Sequence, residues 1–270
     1  MNGKRKSPSR LFRVVRILIL FLGGFYLLAL LSLLTVDRII FLPPPIKKED
    51  LQGAIELKCS DGAHVLGRYL PAEDGKPTLL WSFGNGENIV TVEKKAKQFH
   101  QAGFGVLTYN YRGYGLEYEE PSEEGCYLAI EGAYRHLVDE LKVPSSKILL
   151  VGQSVGSGPT CWLATQKKHA GVVLITPFIS AYRTVTGIPL FPGDRFVNID
   201  RIEKMKERLL VIHGTADGVV PFSHGERLFK LSPSSEKEFL SIKGGGHNDL
   251  FIVASDQIMS AFDQLAEKIE

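Results

Sequence analysis

The first strong pattern along the chain is an apolar run from Ile17 to Val36, 20 residues without a charge. As an α-helix with a rise of about 1.5 Å per residue, this run spans about 30 Å, the thickness of a bilayer core. Six basic residues precede it. The pattern therefore predicts a basic N-terminal segment over residues 1–16 and a transmembrane helix over residues 17–36.

The excess of positive charge ahead of the apolar run predicts its orientation. The positive-inside rule puts the N-terminus in the cytoplasm and the rest of the chain on the extracytoplasmic side. A cleaved signal peptide is the alternative, but the run is longer than the usual signal-peptide core and no clear Ala-x-Ala site follows it. We therefore expect a single-pass membrane protein that contacts the lipid bilayer through this helix.

Residues 37–54 are predicted to form a short linker. They contain Pro43-Pro44-Pro45, which favours a polyproline conformation of about 3.1 Å per residue. The linker therefore keeps the following domain near the bilayer. The apolar residues 39–42 suit either the membrane interface or a position against that domain, and the pattern leaves both open.

From residue 55 onward, short apolar runs alternate with segments of helical periodicity. The runs predict a hairpin within 55–70 and strands at 78–83, 106–111, 148–151, 172–175, 209–212 and 238–242. Helical patterns cover 91–99, 122–140 and 159–165, with Ser122 as a helix N-cap. This alternation predicts an α/β domain over residues 55–270, with a mostly parallel central sheet and helices on both faces.

Charge and cysteine content exclude two classes of function. The chain has 270 residues with a net charge of +2, but seven of its basic residues lie within 1–38, and the remainder is net −4. We therefore expect no nucleic-acid partner. The three cysteines are scattered without a C-x-x-C pair, so neither a disulfide framework nor a zinc site is expected.

The candidate chemistry centres on Gly152-Gln153-Ser154-Val155-Gly156, which follows a predicted buried strand and precedes a helix. This is the G-x-S-x-G pattern of a nucleophile elbow, in which glycines allow a sharp strand-to-helix turn. The pattern predicts Ser154 as the nucleophile. It also predicts that the backbone amide of Val155, at a helix N-terminus, binds an oxyanion.

A serine hydroxyl needs a histidine base and an orienting carboxylate. Asp217 follows the strand at 209–212 and His247 follows the strand at 238–242, so the chain order Ser, Asp, His fits. Asp249 is the rival acid, but it is only two residues from His247 and too close to reach back to its ring. Of the other histidines, His213 is expected to be structural and His224 to begin a helix in solvent.

Four segments together resemble a known family: residues 111–115 (YRGYG), 152–156 (GQSVG), 213–217 (HGTAD) and 246–249 (GHND). The chain resembles α/β-hydrolase-fold serine hydrolases, in the branch that includes protein depalmitoylases and serine aminopeptidase-like enzymes. The resemblance runs from residue 55 to the C-terminus, about four fifths of the chain. It implies an acyl-enzyme mechanism with no metal or organic cofactor.

The resemblance also implies a second oxyanion donor in the loop that follows the strand at 78–83. We assign it to the backbone amide of Asn85. The family usually has His-Gly at the start of this loop and this chain has Phe83-Gly84, but a backbone amide survives a change of side chain.

Residues 178–207, rich in Gly, Pro and aromatic residues, are predicted to form a short lid. A short lid favours an open site that admits a large or membrane-presented acyl donor. Phe178 and Phe191 are candidates for an acyl-binding wall, with packing in the core or lid as the alternative.

The sequence thus predicts a membrane-anchored serine hydrolase that cleaves acyl esters or thioesters through a Ser-His-Asp triad. A serine peptidase of the aminopeptidase-like type is one alternative, although no acidic residue can be assigned to bind a substrate amine. A catalytically silent binding or scaffold protein is another, although the candidate Ser, Asp and His are all present.

Overall fold

The centre of the fold is an eight-stranded sheet. The computed structural model describes residues 10–116, 119–186 and 193–269. The strands are β1 (Ile55–Lys58), β2 (His64–Leu70), β3 (Thr78–Ser82), β4 (Gly105–Tyr109), β5 (Ile148–Gln153), β6 (Gly171–Ile175), β7 (Arg208–Gly214) and β8 (Lys237–Ile242). Their order in the sheet is β1-β2-β4-β3-β5-β6-β7-β8.

Most neighbouring strands of this sheet are parallel. Strands β1 and β2 form the predicted hairpin, and β2 pairs antiparallel with β4, whereas all pairs from β4 to β8 are parallel. Every residue of β3, β4 and β6 is buried, so both faces of the central sheet are covered, as is typical of parallel strands. The predicted α/β architecture is confirmed.

Short α-helices flank the sheet. They are α2 (Glu93–Gln101), α3 (Glu123–Arg135), α4 (Ser157–Ala164), α5 (Ala181–Thr186), α6 (Asn198–Ile202), α7 (Phe222–Leu231), α8 (Leu250–Val253) and α9 (Ser255–Ala266). Of these, α2 to α7 lie in the connections between strands, and α8 and α9 follow the last strand. Ser122 caps α3 as predicted, because its Oγ accepts a hydrogen bond from the Gly125 amide at 3.0 Å. Beyond Arg135 the predicted helix continues as a π-helical turn to Glu140.

The N-terminal helix α1 runs from Arg10 to Ile40 and is longer than the apolar run. It continues past Val36 because no helix breaker occurs before Pro43. Within the described residues, its segment Arg10–Leu31 is long and apolar enough to cross a membrane by length and composition.

Residues 39–42 end up in two different environments. Phe41 is only 4% exposed and belongs to the core of the α/β domain, whereas Ile39 and Leu42 are exposed. The end of α1 is therefore packed against the domain through Phe41.

The predicted lid region contains α5 and α6, but its residues 187–192 lie outside the described residues. The candidate wall residue Phe191 lies outside them too. Phe178 is buried, with its ring edge-on to that of Phe196 at a centroid distance of 6.4 Å, which is the packing role named as the alternative.

The cap of α3 offers a test of the fold. We expect Ser122→Ala to lower the free energy of unfolding by about 1 kcal/mol, because the Gly125 amide loses its acceptor. Urea denaturation of the detergent-solubilised protein measures this change. Ser260→Ala on the exposed side of α9 is the matched control and should change stability by less than about 0.5 kcal/mol; equal effects of the two changes would contradict the cap.

Candidate active site

The turn around Ser154 is as tight as the glycine pattern predicts. Strand β5 ends directly before Ser154, which begins a single 3-10 turn (Ser154–Gly156) leading into α4. Ser154 has a φ of +52°, a left-handed conformation that is costly for a residue with a side chain. A Cβ on Gly156 would lie 2.1 Å from the carbonyl oxygen of Ser82, at the end of β3. Only glycine fits at position 156.

Ser154, His247 and Asp217 form one hydrogen-bonded chain. Ser154 Oγ lies 2.9 Å from His247 Nε2, and His247 Nδ1 lies 2.8 Å from Asp217 Oδ2. The three residues follow β5, β8 and β7, whose carboxyl ends lie at one edge of the parallel sheet. The structure therefore brings together the three residues that the sequence singled out.

The carboxylate of Asp217 is held by four donors. Its Oδ1 accepts the amides of Val219 and Val220 at 2.9 and 2.8 Å, and its Oδ2 faces His247 at 2.8 Å and His213 Nε2 at 3.2 Å. Burial alone raises the pKa of Asp217, but these hydrogen bonds outweigh it and hold the pKa well below its usual value. The group facing His247 is therefore a carboxylate.

Asp249, the rival acid, has a different partner. Its Oδ1 accepts the backbone amide of Gly246 at 2.7 Å, so it stabilises the turn that carries His247. The ring of His247 meets Asp217 instead.

Two further histidines, His213 and His224, lie near this site. The expectation that His224 is solvated is wrong, because it is only 7% exposed. The first turn of α7 packs against His213, and burial lowers the pKa of His224. His213 is fully buried, and its Nε2 lies 3.1 Å from the Val220 carbonyl oxygen as well as near Asp217. The signal in the sequence for the contact between His213 and Asp217 is that His213 lies four residues before Asp217.

The loop after β3 lines the same cleft as Ser154. The Gly84 amide donates to Glu87 Oε2 at 2.9 Å, and the Asn85 carbonyl oxygen accepts from the Tyr114 hydroxyl at 2.8 Å. In contrast, within the described parts of the chain the Asn85 amide N–H donates no hydrogen bond. Asn85 also lines the cleft, so its N–H is a candidate donor to a ligand there.

Phe83, which stands where the family usually has histidine, is packed in an aromatic cluster. Its ring centroid lies 4.7 Å from that of Tyr111 and 6.3 Å from that of Tyr114, and it is fully buried. The Tyr111 hydroxyl donates to the Phe83 carbonyl oxygen at 2.5 Å. These contacts hold the start of the loop without a histidine.

The cleft itself has a volume of about 520 Å³, within the range of small-molecule sites. Near Ser154 its wall carries a polar group in which Lys95 Nζ lies 3.0 Å from Glu87 and 2.7 Å from Gln153. The lining also includes the apolar residues Leu250, Phe251 and Ile252, of which Ile252 is 83% exposed. The cleft therefore combines polar and apolar lining residues, and Lys95 Nζ lies 4.9 Å from the centroid of the Phe251 ring.

Sequence comparison finds named relatives, although no family model matches the chain. The chain is 35% identical over 212 residues to alpha/beta hydrolase domain-containing protein aho-3 of Caenorhabditis elegans, covering 74% of this chain and 61% of the relative. It is 34% identical over 215 residues to alpha/beta hydrolase domain-containing protein 17C of Xenopus laevis, covering 75% of this chain and 62% of the relative. The chain is an α/β-hydrolase-fold protein.

The resemblance expected from the sequence motifs is thereby confirmed, and solved structures agree with the fold. The chain matches the Pyrococcus furiosus esterase Pf2001 with a TM-score of 0.69 at 16% identity, over 84% of this chain and 99% of that one. It also matches an alpha-beta serine hydrolase homologue from Coxiella burnetii with a TM-score of 0.59 at 17% identity, over 80% and 97% of the two chains. This α/β-hydrolase-fold chain spans about 60% of the length of the curated relatives given above.

The low pKa of Asp217 predicts how stability depends on pH. Its carboxylate stabilises the folded protein above the unfolded pKa of about 4, and this contribution is lost as the pH falls towards the lower folded pKa. Asp217→Asn should therefore be less stable than the parent by on the order of 2–3 kcal/mol at pH 5, and the difference should shrink as the pH falls to about 2.5. Urea denaturation of both proteins across this range measures it; a difference that grows on acidification would contradict the assigned charge.

Proposed function

We propose that this chain is a membrane-anchored serine hydrolase that cleaves acyl esters or thioesters. The observation that carries the proposal is the unbroken chain of contacts from Ser154 Oγ through the His247 ring to Asp217, with distances of 2.9 and 2.8 Å. These are the distances at which a base takes a proton from a hydroxyl and a carboxylate orients the base. The names of the sequence relatives, hydrolase domain-containing proteins, support the same class of reaction.

In the proposed mechanism, His247 Nε2 takes the Ser154 proton while Oγ attacks the acyl carbonyl carbon. The carbonyl π electrons move to oxygen, giving a tetrahedral oxyanion. When the C–O or C–S bond breaks, His247 returns the proton to the leaving alcohol or thiol, and Ser154 carries the acyl group. A water deprotonated by His247 then repeats the sequence and releases the acid. Asp217 keeps the proton on Nδ1 and stabilises the imidazolium form.

The proposed oxyanion donors are the backbone amides of Val155 and Asn85. Val155 follows the nucleophile at the first turn before α4, where N–H groups point out of the helix end. The Asn85 N–H has no acceptor within the described residues, and Asn85 lines the cleft that holds Ser154. Two such donors stabilise the charge that develops on the attacked carbonyl.

The peptidase alternative needs an acid that binds the substrate amine. Glu87 is the acidic side chain in the wall of the cleft among the described residues, but both of its oxygens have partners. Oε1 lies 3.0 Å from Lys95 Nζ, and Oε2 accepts the Gly84 amide at 2.9 Å. Because both oxygens of Glu87 already have partners, this carboxylate is not free to bind a substrate amine. The cleft therefore favours an acyl ester or thioester over a peptide with a free amine. Comparing p-nitrophenyl esters with aminoacyl anilides measures this preference, and faster anilide turnover would reverse it.

The proposed membrane anchor is α1, whose segment Arg10–Leu31 has the length and hydropathy of a spanning helix. With this anchor, the hydrolase domain lies close to the lipid surface, which suits a substrate that the membrane presents. The exposed side chain of Ile252 at the rim of the cleft supports an apolar acyl group as part of that substrate.

The triad predicts a specific pattern of kinetic losses. Ser154→Ala and His247→Ala should each lower kcat by on the order of 10⁶, and the double variant should be little worse, since the residues act as a unit. Asp217→Asn should cost about 10⁴. Steady-state hydrolysis of a p-nitrophenyl ester by the full chain in detergent measures these values.

Asp249→Asn is the matched control for the acid, because this residue binds the turn that carries His247 rather than its ring. It should lower kcat by no more than about tenfold. A larger loss in Asp249→Asn than in Asp217→Asn would contradict the assignment of the acid.

The proposed orientation predicts which side of the membrane holds the domain. Protease added to sealed inverted vesicles should leave residues 55–270 intact, because the basic N-terminus stays in the cytoplasm. Detergent should then make the domain accessible. Digestion without detergent would place the domain in the cytoplasm, and a mature N-terminus downstream of Val36 would make the apolar run a cleaved signal.

A further inference from the structure

The end of α1 touches the loop that carries one of the proposed oxyanion donors. We call residues 36–42 the anchor junction. The side-chain Nδ2 of Asn85 donates a hydrogen bond to the carbonyl oxygen of Ile40 at 3.0 Å. This carbonyl is one of the last four of the helix, which have no partner within it, so the contact satisfies both groups.

A second contact reaches the same residue through Phe41. The Phe41 ring lies edge-on to that of Tyr114, with centroids 6.3 Å apart, and the Tyr114 hydroxyl donates to the Asn85 carbonyl oxygen at 2.8 Å. Asn85 is therefore held through its side chain by the anchor junction and through its carbonyl by a tyrosine that the junction packs against. The Asn85 N–H belongs to the preceding peptide, Gly84–Asn85, so both bonds restrict its direction through the position of the Asn85 Cα.

Phe41 is also linked, through Phe196, to the helix that follows the nucleophile. Its ring lies 6.0 Å from that of Phe196, edge-on. Phe196 in turn is packed so closely on α4 that a Cβ on Gly158 would lie 2.2 Å from its ring. Phe41, which is 4% exposed, thus contacts both Phe196, which packs on the helix after Val155, and Tyr114, which binds Asn85.

An ion pair holds the junction against the same elements. Asp37 Oδ1 lies 3.0 Å from Arg195 Nε, next to Phe196 in the chain, and Arg195 also faces Glu123 at 3.9 Å. The side chains of Asp37 and Arg195 are 29% and 21% exposed, so solvent screens this pair only in part. The pair fixes the last turn of α1 beside Phe41.

We propose that the anchor junction positions the oxyanion site, with the Asn85 side chain and Phe41 as positioning residues. The membrane helix and the catalytic loop then act as one unit, and a chain that lacks the junction has a less well ordered oxyanion site. This inference rests on the proposed serine hydrolase function. It goes beyond that function by giving the end of the anchor a role in turnover as well as in attachment.

The test uses the full chain in lipid nanodiscs and three variants: Phe41→Ala, Asn85→Ala and the two combined. Each single change should lower kcat for a soluble p-nitrophenyl ester by on the order of tenfold, with KM changed less than about twofold, because the donors act on the transition state. The inhibition constant of a trifluoromethyl ketone, whose serine adduct carries an oxyanion, should rise by the same factor as kcat falls. Loss of packing that leaves the oxyanion site intact would not raise it.

Non-additivity provides the sharpest readout. If Phe41 and Asn85 act through the same loop, the double variant should be close to the worse single variant, about 10- to 20-fold below the parent rather than about 100-fold. Phe41→Leu, which keeps most of the apolar volume, should recover kcat to within about threefold. Ile39→Ala, at a position 72% exposed on the same segment, is the matched control and should change neither kcat nor the inhibition constant.

Folded single variants with kcat and inhibition constants within twofold of the parent would overturn the inference, and so would additive losses. If Phe41→Ala does not fold, Asn85→Ala carries the test, because truncating this half-buried side chain leaves the core intact. Turnover that survives Ser154→Ala would refute the proposed function itself. Turnover that depends on Ser154 but not on Phe41 or Asn85 would refute the positioning role alone.

Discussion

A side chain at position 156 would lie 2.1 Å from the carbonyl oxygen of Ser82, and the geometry of the site depends on this close approach. It brings the turn after β5 into direct contact with the end of β3. Val155 precedes Gly156, and Asn85 follows Ser82 by three residues. One backbone contact therefore brings together the two chain segments that carry the proposed oxyanion donors.

Separate contacts hold the strained backbone of Ser154. A φ of +52° at Ser154 is costly in an ordinary turn, and surrounding contacts must hold it. The Ser157 hydroxyl donates to the Ser154 carbonyl oxygen at 2.7 Å, and Asn198 Nδ2 lies 3.1 Å from that hydroxyl. On the opposite side, the carboxylate of Asp217 is held by backbone amides and two histidines. The serine and the acid thus each have contacts of their own, and His247 connects them.

Most of the fold and the three central residues could be predicted from the sequence, because each depends on local patterns. Ser154 is identified by the glycines at positions 152 and 156 and by the buried strand before them. Asp217 and His247 each follow a strand that its apolar run predicts. Parallel strands put their carboxyl ends together, so chain order alone brings these residues to one edge of the sheet.

What the sequence could not show depends on contacts between distant segments. Phe41 follows an apolar helix, and the apolar residues around it suit lipid and protein surroundings equally well. It is buried in the protein through contacts with Tyr114 and Phe196. Asp37 and Arg195 pair across 158 positions of sequence. His224 looks like a surface residue at a helix start, but it is buried, and the turn that carries it packs against His213.

The most direct test of the central claim is covalent labelling of the nucleophile. The full chain should be treated with a fluorophosphonate and digested, and the modified peptide located by mass spectrometry. The account predicts one phosphonyl group on Ser154 Oγ, formed with loss of fluoride, and none in the His247→Ala protein over the same time. Labelling at another residue, or no labelling of the folded parent protein, would contradict it.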